Sequence, residues 1–143
     1  MKILKLQRAT KTTLKDLNAL LSQLSQDPAK HNGTLAELRD IVRNKRAVMI
    51  VAQEGKRIVG VGSLYTILNL GRKRGEVEDV VVDSAYRGQG LGEKIMRALI
   101  RSARKQRLVS LHLTSRSARV AANKLYQKLG FVRKETNVYR LKL

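Results

Sequence analysis

Apolar residues recur along this chain with two periods, and the switch between them marks out the elements. From Lys2 to Arg8 they alternate with polar residues, as in a strand. From Thr12 to Leu24 the leucines at 14, 17, 20, 21 and 24 fall on one helical stripe, which Asp27-Pro28 breaks. Thr34-x-x-Glu37 is a capping-box pattern and opens a second helix through Val42. Ala47 to Gln53 predicts a strand, Glu54-Gly55-Lys56 a hairpin turn, and Arg57 to Leu70 a long strand. Gly71 to Gly75 forms a loop or hairpin before a strand from Glu76 to Val82, whose Val80-Val81-Val82 run predicts burial on both faces. The helical period returns from about Gly90 to Gln106, with Leu91, Ile95, Ala98, Leu99 and Ser102 inward. Leu108 to Thr114 is again a strand. Ser117 is placed to cap a helix running to Leu129 and ended by Gly130. Phe131 to Thr136 and Val138 to Leu141 predict two closing strands. With no repeat, linker or low-complexity tract, residues 1–143 form a single α/β domain in this reading.

The junction between the Glu76–Val82 strand and the next helix carries the chemistry. Arg87, Gly88, Gln89, Gly90, Leu91, Gly92 and Glu93 form a glycine-rich arc opening into a helix. Such an arc aims backbone N–H groups at one point, at the positive end of a helix dipole, which makes an anion site. A P-loop requires G-x-x-x-x-G-K-[ST], and no Lys-Ser or Lys-Thr follows at that spacing. A dinucleotide fingerprint requires glycine where the chain has Glu93. What remains is Arg87-x-x-Gly90-x-Gly92 between strand and helix.

In that context, with Glu78-Asp79-Val80-Val81-Val82-Asp83-Ser84-Ala85-Tyr86-Arg87-Gly88 before it and Leu125-Tyr126-Gln127-Lys128-Leu129-Gly130-Phe131 after it, the chain resembles the GNAT superfamily of acyl-CoA-dependent N-acetyltransferases. The resemblance implies a mixed, strongly twisted central sheet of about six to seven strands flanked by about four helices. It implies acetyl-CoA as co-substrate, with the amides of Arg87 through Glu93 on its pyrophosphate. Main-chain groups of Val80, Val81 and Val82 would pair with the pantetheine arm, an amide among them polarising the thioester carbonyl. Asn123 is expected near the pantetheine or adenosine. Many relatives carry Asn seven residues before the motif tyrosine; this chain has Arg119 there, suited instead to a phosphate.

Acetyl transfer from a thioester to an amine needs a positioned donor, a neutral amine, a stabilised carbonyl oxygen and an accommodated thiolate. In the family the tyrosine of this motif protonates the thiolate, which assigns that role to Tyr126. A phenol of pKa about 10 can donate to a thiolate whose thiol has pKa about 8.5; the alternative is a core tyrosine with its hydroxyl at the edge. Glu78 is the candidate base, directly or through water, and a substrate contact. Strand alternation places it with Val80 and Val82, while Asp79, a second substrate contact, points the other way unless a bulge intervenes. Asp83 is expected to cap the turn. His31 and His112 have no partner pattern, and a metal site has no support.

Composition adds bounds. Cysteine is absent, which excludes disulfides, thiolate metal sites and a cysteine nucleophile but is no obstacle to direct transfer. No apolar run approaches the ~20 residues that span a bilayer, and the N-terminus lacks a signal-peptide core, so a soluble, cytoplasmic protein without membrane contact is the expectation. The 30 Lys and Arg against 11 Asp and Glu give a formal charge of +19. A basic stripe at Arg97, Arg101, Arg104, Lys105 and Arg107 is either a solvated face or a surface for an acidic partner such as nucleic acid or a ribosome. The acceptor is a small-molecule or protein amine. Relatives with a similar acidic pair include amino-sugar phosphate acetyltransferases, and Arg72 to Arg74 are candidates for an anionic acceptor. A basic coenzyme-binding or docking module with little catalysis is the alternative, and a homodimer stays open.

Overall fold

A computed structural model describes residues 1–27 and 32–143. Pro28 of the expected helix break and His31 lie outside the described residues. Met1–Leu113 and Thr114–Leu143 form two units, taken in turn.

The first unit is built on a mixed sheet of five strands in the order β1-β2-β3-β4-β5. They are β1 (Lys2–Lys5), β2 (Ala47–Glu54), β3 (Arg57–Asn69), β4 (Arg72–Val82) and β5 (Leu111–His112). The first four pair antiparallel, and β5 joins β4 in parallel through Gly75↔Leu111 and Glu76↔His112. Helices α1 (Lys11–Leu24) and α2 (Leu35–Arg43) precede β2, and α3 (Leu91–Lys105) follows β4. On one face Leu17, Leu20 and Leu38 pack with Met49, Val51, Ile58, Val61 and Val81. On the other, Ile95, Met96 and Leu99 of α3 are fully buried. Gly62 permits that approach: a Cβ there would lie 2.8 Å from Ile95 Cγ2 and 3.1 Å from Leu99 Cδ1.

Local signals read from the sequence operate as expected at several boundaries. The Thr34 hydroxyl accepts from the Glu37 amide at 3.2 Å, and Glu37 Oε2 accepts from the Thr34 amide at 2.7 Å, closing the capping box of α2. Those bonds hold the Glu37 carboxyl below its ordinary range. The β3–β4 connection is tighter than a five-residue loop: Asn69 pairs with Arg72, and only Leu70 and Gly71 turn. Arg72 through Gly75 therefore belong to β4.

In the second unit, α4 (Val120–Lys128) starts later than Ser117 would place it, with Arg119 as N-cap and no side-chain cap bond. Its end is a Schellman motif: Phe131 N donates to Tyr126 O at 3.0 Å and Gly130 N to Gln127 O at 3.0 Å, with Gly130 at φ +93°. The Phe131 and Tyr126 rings meet edge-on, 6.0 Å between centroids, giving the motif its apolar contact. Neither closing strand forms: residues 129–143 carry no strand. The sheet thus has five strands among the described residues, fewer than the six to seven expected. A strand exists only through its ladder, and an isolated two-stranded hairpin is marginal in water, so alternation in a Lys/Arg-rich tail does not create one. β5 is likewise shorter than Leu108–Thr114, because only two residues hold register with β4.

Candidate active site

Where β4 ends, Asp83 shapes the exit. Its buried carboxylate accepts from the Ala85 amide at 3.0 Å and from Arg57 Nη2 at 2.8 Å, capping the short 3-10 turn Ser84–Tyr86 as expected. The Ser84 amide donates to Gln23 Oε1 of α1 at 3.0 Å, and the Tyr86 hydroxyl donates to Glu54 at 2.5 Å. The turn is therefore tied down from α1 and β2 before the glycine arc begins.

The arc itself is open. Gly88 and Gly90 sit at φ +78° and +73°, and a Cβ at either would meet nothing within 4 Å. Gly90 is the N-cap of α3 and supplies no side chain, so no side-chain cap bond covers this end of the helix. Glu93, in that first turn, has its carboxylate bound to Arg97 at 2.8 and 2.9 Å, one turn along the helix. Arg87 Nε donates to Val82 O at 3.1 Å, fastening a guanidinium at the lip of the arc. Bare main chain, left-handed glycines, a helix N-terminus and an anchored arginine fit a diphosphate.

Upstream, β4 is irregular. Val61 pairs with Val81 but Ser63 pairs with Glu78, so β4 carries one extra residue, a bulge at Asp79 with φ +56°. Directly paired residues share a face, and Glu78 accordingly lies with Ser63, Val81 and the α1–α2 side, not with Val80 and Val82 as simple alternation places it. Asp79 turns to the same side, where it lines a cavity of about 420 Å³ between α1, α2 and the sheet. Leu17, Leu38 and Met49 give that cavity its apolar wall, and Tyr65, Glu37 and Asp40 add polar groups. Burial pushes the Glu78 carboxyl up from its ordinary range, and the neighbouring Asp79 and Glu76 carboxylates push it further. Burial, then the Asp79 and Glu78 charges, raise the Tyr65 phenol in the same way.

Tyr65 and the cavity were not legible as site features. The available signal was the conflict in Val77-Glu78-Asp79-Val80-Val81, where strict alternation would bury Asp79 between Val77 and Val81. Beyond the bulge, the β4–β5 ladder stops at Glu76↔His112 and does not reach Val80 to Val82, while β3 pairs with Val81 and Val82 on the other edge.

In the second unit, Tyr126 lies in the second turn of α4. Burial raises its phenol above the usual tyrosine range, against the lowering pull of the Arg119 guanidinium. Asn123 Nδ2 donates to Arg116 O at 3.0 Å, bracing the chain that enters α4.

The model for the acetyltransferase (GNAT) family matches residues 14–131, more than half of the chain. The chain belongs to the GNAT family. A glucosamine 6-phosphate N-acetyltransferase of Trypanosoma brucei brucei is 35% identical over 117 residues, covering 78% of each chain. A probable enzyme of the same name from Oryza sativa subsp. japonica is 35% identical over 127 residues, 81% of this chain and 74% of that one. The crystal structure of a Trypanosoma brucei acetyltransferase, 32% identical, superposes with a TM-score of 0.77 over 99% of both chains. This GNAT protein is an N-acetyltransferase that moves an acetyl group from acetyl-CoA to an amine, and a docking module without catalysis is not favoured. The fold is the α/β GNAT fold, with a mixed sheet and, among the described residues, four α-helices. Among the described residues no helix is long and apolar enough to cross a membrane.

Proposed function

We propose that this GNAT protein acetylates a small primary amine by direct attack within a ternary complex, the amine approaching through the cavity on the α1–α2 side of the sheet. The observation that carries this reading is the β4 bulge, which sets Glu78 and Asp79 on the cavity side while Val82 leads into the open glycine arc. Acetyl-CoA supplies the acetyl group as an activated thioester. The amides from Arg87 through Glu93 hold its pyrophosphate, main-chain groups of Val80 to Val82 orient its arm, and Asn123 of the second unit is assigned to its pantetheine or adenosine. Glu78 takes the proton of the incoming ammonium, directly or through water, because an alkylammonium cannot attack. Its raised pKa suits it to that task. Asp79 holds the acceptor. As the amine nitrogen bonds to the acetyl carbon and the carbon–sulfur bond breaks, Tyr126 donates its phenolic proton to the sulfur; the nitrogen's second surplus proton is released to water, from which the phenolate is reprotonated.

Glucosamine 6-phosphate is the first acceptor to test, because two relatives at 35% identity carry that activity in their names. The acids around the cavity suit its ammonium, but no Lys or Arg stands among the described residues lining it. Nor do Arg72 to Arg74 serve its phosphate. Arg72 is six strand residues from Glu78, roughly 20 Å at the usual strand rise, and Arg74 is engaged by Glu76. An unphosphorylated cationic amine with an apolar body is the second reading, favoured by the leucine wall. Release of thiol from acetyl-CoA, followed with glucosamine 6-phosphate, glucosamine and a series of alkyl- and arylalkylamines, decides between them. Turnover with the sugar phosphate alone supports the first, and turnover with the apolar amines alone supports the second. Absence of any heat on titrating coenzyme A into the protein overturns both.

A further inference from the structure

Three segments far apart in sequence meet at the sheet end remote from the glycine arc. The Thr66 amide donates to Arg46 O at 2.8 Å, bringing in the α2–β2 turn. The Val109 amide donates to Lys73 O at 2.9 Å, and the Thr66 hydroxyl donates to Gln106 Oε1 at 2.8 Å, bringing in the end of α3. Residues 43–46, 66–76 and 104–112 hold nine Lys and Arg but one carboxylate, Glu76, which Arg74 already binds. Across the whole chain the ratio is 30 to 11, so this end is far more one-sided than the average.

One of these cations is held in an unfavourable conformation. The α3 helix ends in a Schellman motif, with Leu108 N donating to Ala103 O at 3.1 Å and Arg107 N to Arg104 O at 3.0 Å. The left-handed position of that motif, φ +57°, is filled by Arg107 where glycine fits without strain. Glycine would hold that position with less backbone strain, so what the arginine adds there is its charge.

We propose that this end of the sheet docks the phosphate backbone of a nucleic-acid duplex. Closely spaced, mostly exposed Arg and Lys from three segments match a surface of regularly repeated phosphates. These three segments hold no Tyr, Phe or Trp on which single-stranded bases could stack, which favours a duplex. Leu70, fully exposed at the two-residue tip of the β3–β4 hairpin and followed by Arg72, Lys73 and Arg74, is placed to enter a groove as an apolar wedge. The α3 helix, 15 residues long, separates this face from the glycine arc by roughly 20 Å, so both can be occupied together.

The test is anisotropy of a labelled random-sequence duplex titrated with the full chain between low and moderate salt. Saturating coenzyme A should leave the duplex bound. A salt slope reflecting several phosphates is expected, and Arg107→Gly should reduce it by about one while raising the melting temperature, a combination that loss of folding cannot produce. Arg104→Gln with Lys105→Gln should weaken binding further, and Leu70→Ser should lower affinity at an unchanged slope; acetyl transfer should persist in all three. Undiminished binding by the arginine and lysine variants, displacement by coenzyme A, or binding to anionic lipid vesicles or polyglutamate but not to the duplex overturns the proposal.

Discussion

Partial burial, and after it the neighbouring Asp79 and Glu76 carboxylates, make Glu78 keep its proton to higher pH than an isolated carboxylate. If it removes the proton of the amine, kcat/KM should fall as pH drops through that raised value. Glu78→Gln should then erase the acid limb and reduce kcat/KM by about 100-fold or more; an unchanged profile in steady-state assays removes Glu78 from the chemistry. The same shift links to stability with a definite sign. The folded chain holds this proton more tightly than the unfolded one, so the contribution is fully present below the ordinary glutamate pKa and is lost as pH rises through the raised one. Melting curves of Glu78→Gln should therefore match the parent in acid and lie above it at neutral pH. Tyr126 is the complementary case, since a raised phenol pKa keeps it protonated throughout the neutral range. Tyr126→Phe should lower kcat by about 100-fold with a smaller change in KM; equal turnover would falsify its role as proton donor.

At the scale of elements, the local signals were the readable ones. A capping box is four residues long, a Schellman end six, and the glycine arc seven, so each is fully written in its own stretch of chain. Thr34 with Glu37, Gly130 with Phe131, and Gly90 therefore behave as their types dictate. Strand pairing is not local, and the tail from Val132 to Leu141 alternates without joining a ladder. The bulge stayed an open alternative for a related reason: a period of two has no means of counting an inserted residue, and only the pairing with β3 exposes it. Packing of α3 on the sheet was half legible. Its apolar face was evident, but the need for Gly62 beneath Ile95 and Leu99 appears only in three dimensions. Gly62→Val should overpack that contact and destabilise the protein by about 1–3 kcal/mol, measured by urea unfolding.

For the molecule as a whole, the sequence disclosed the amount of charge but not its placement, because residues 43–46, 72–74 and 104–107 become neighbours only through β3, β4 and α3. Cofactor binding should register globally as well. A ligand that binds only the folded chain adds about 2.7 kcal/mol at a hundredfold excess over its dissociation constant. Coenzyme A should thus raise the melting temperature by several degrees in a thermal-shift titration, and Gly90→Glu, which fills the arc, should abolish the rise while leaving the melting temperature without ligand close to that of the parent less the strain of a left-handed glutamate. The extra residue at Asp79 also sets how many acids face the acceptor. Removing any one residue from Glu78 to Val80 would scarcely alter the chain's hydropathy profile and would let β4 run regularly, with Val81 still opposite Val61, but it would leave one carboxylate on the cavity side instead of two. A homologue shortened by that single position would look intact in an alignment and keep its cofactor cradle, yet present one acid to the acceptor where this chain presents two.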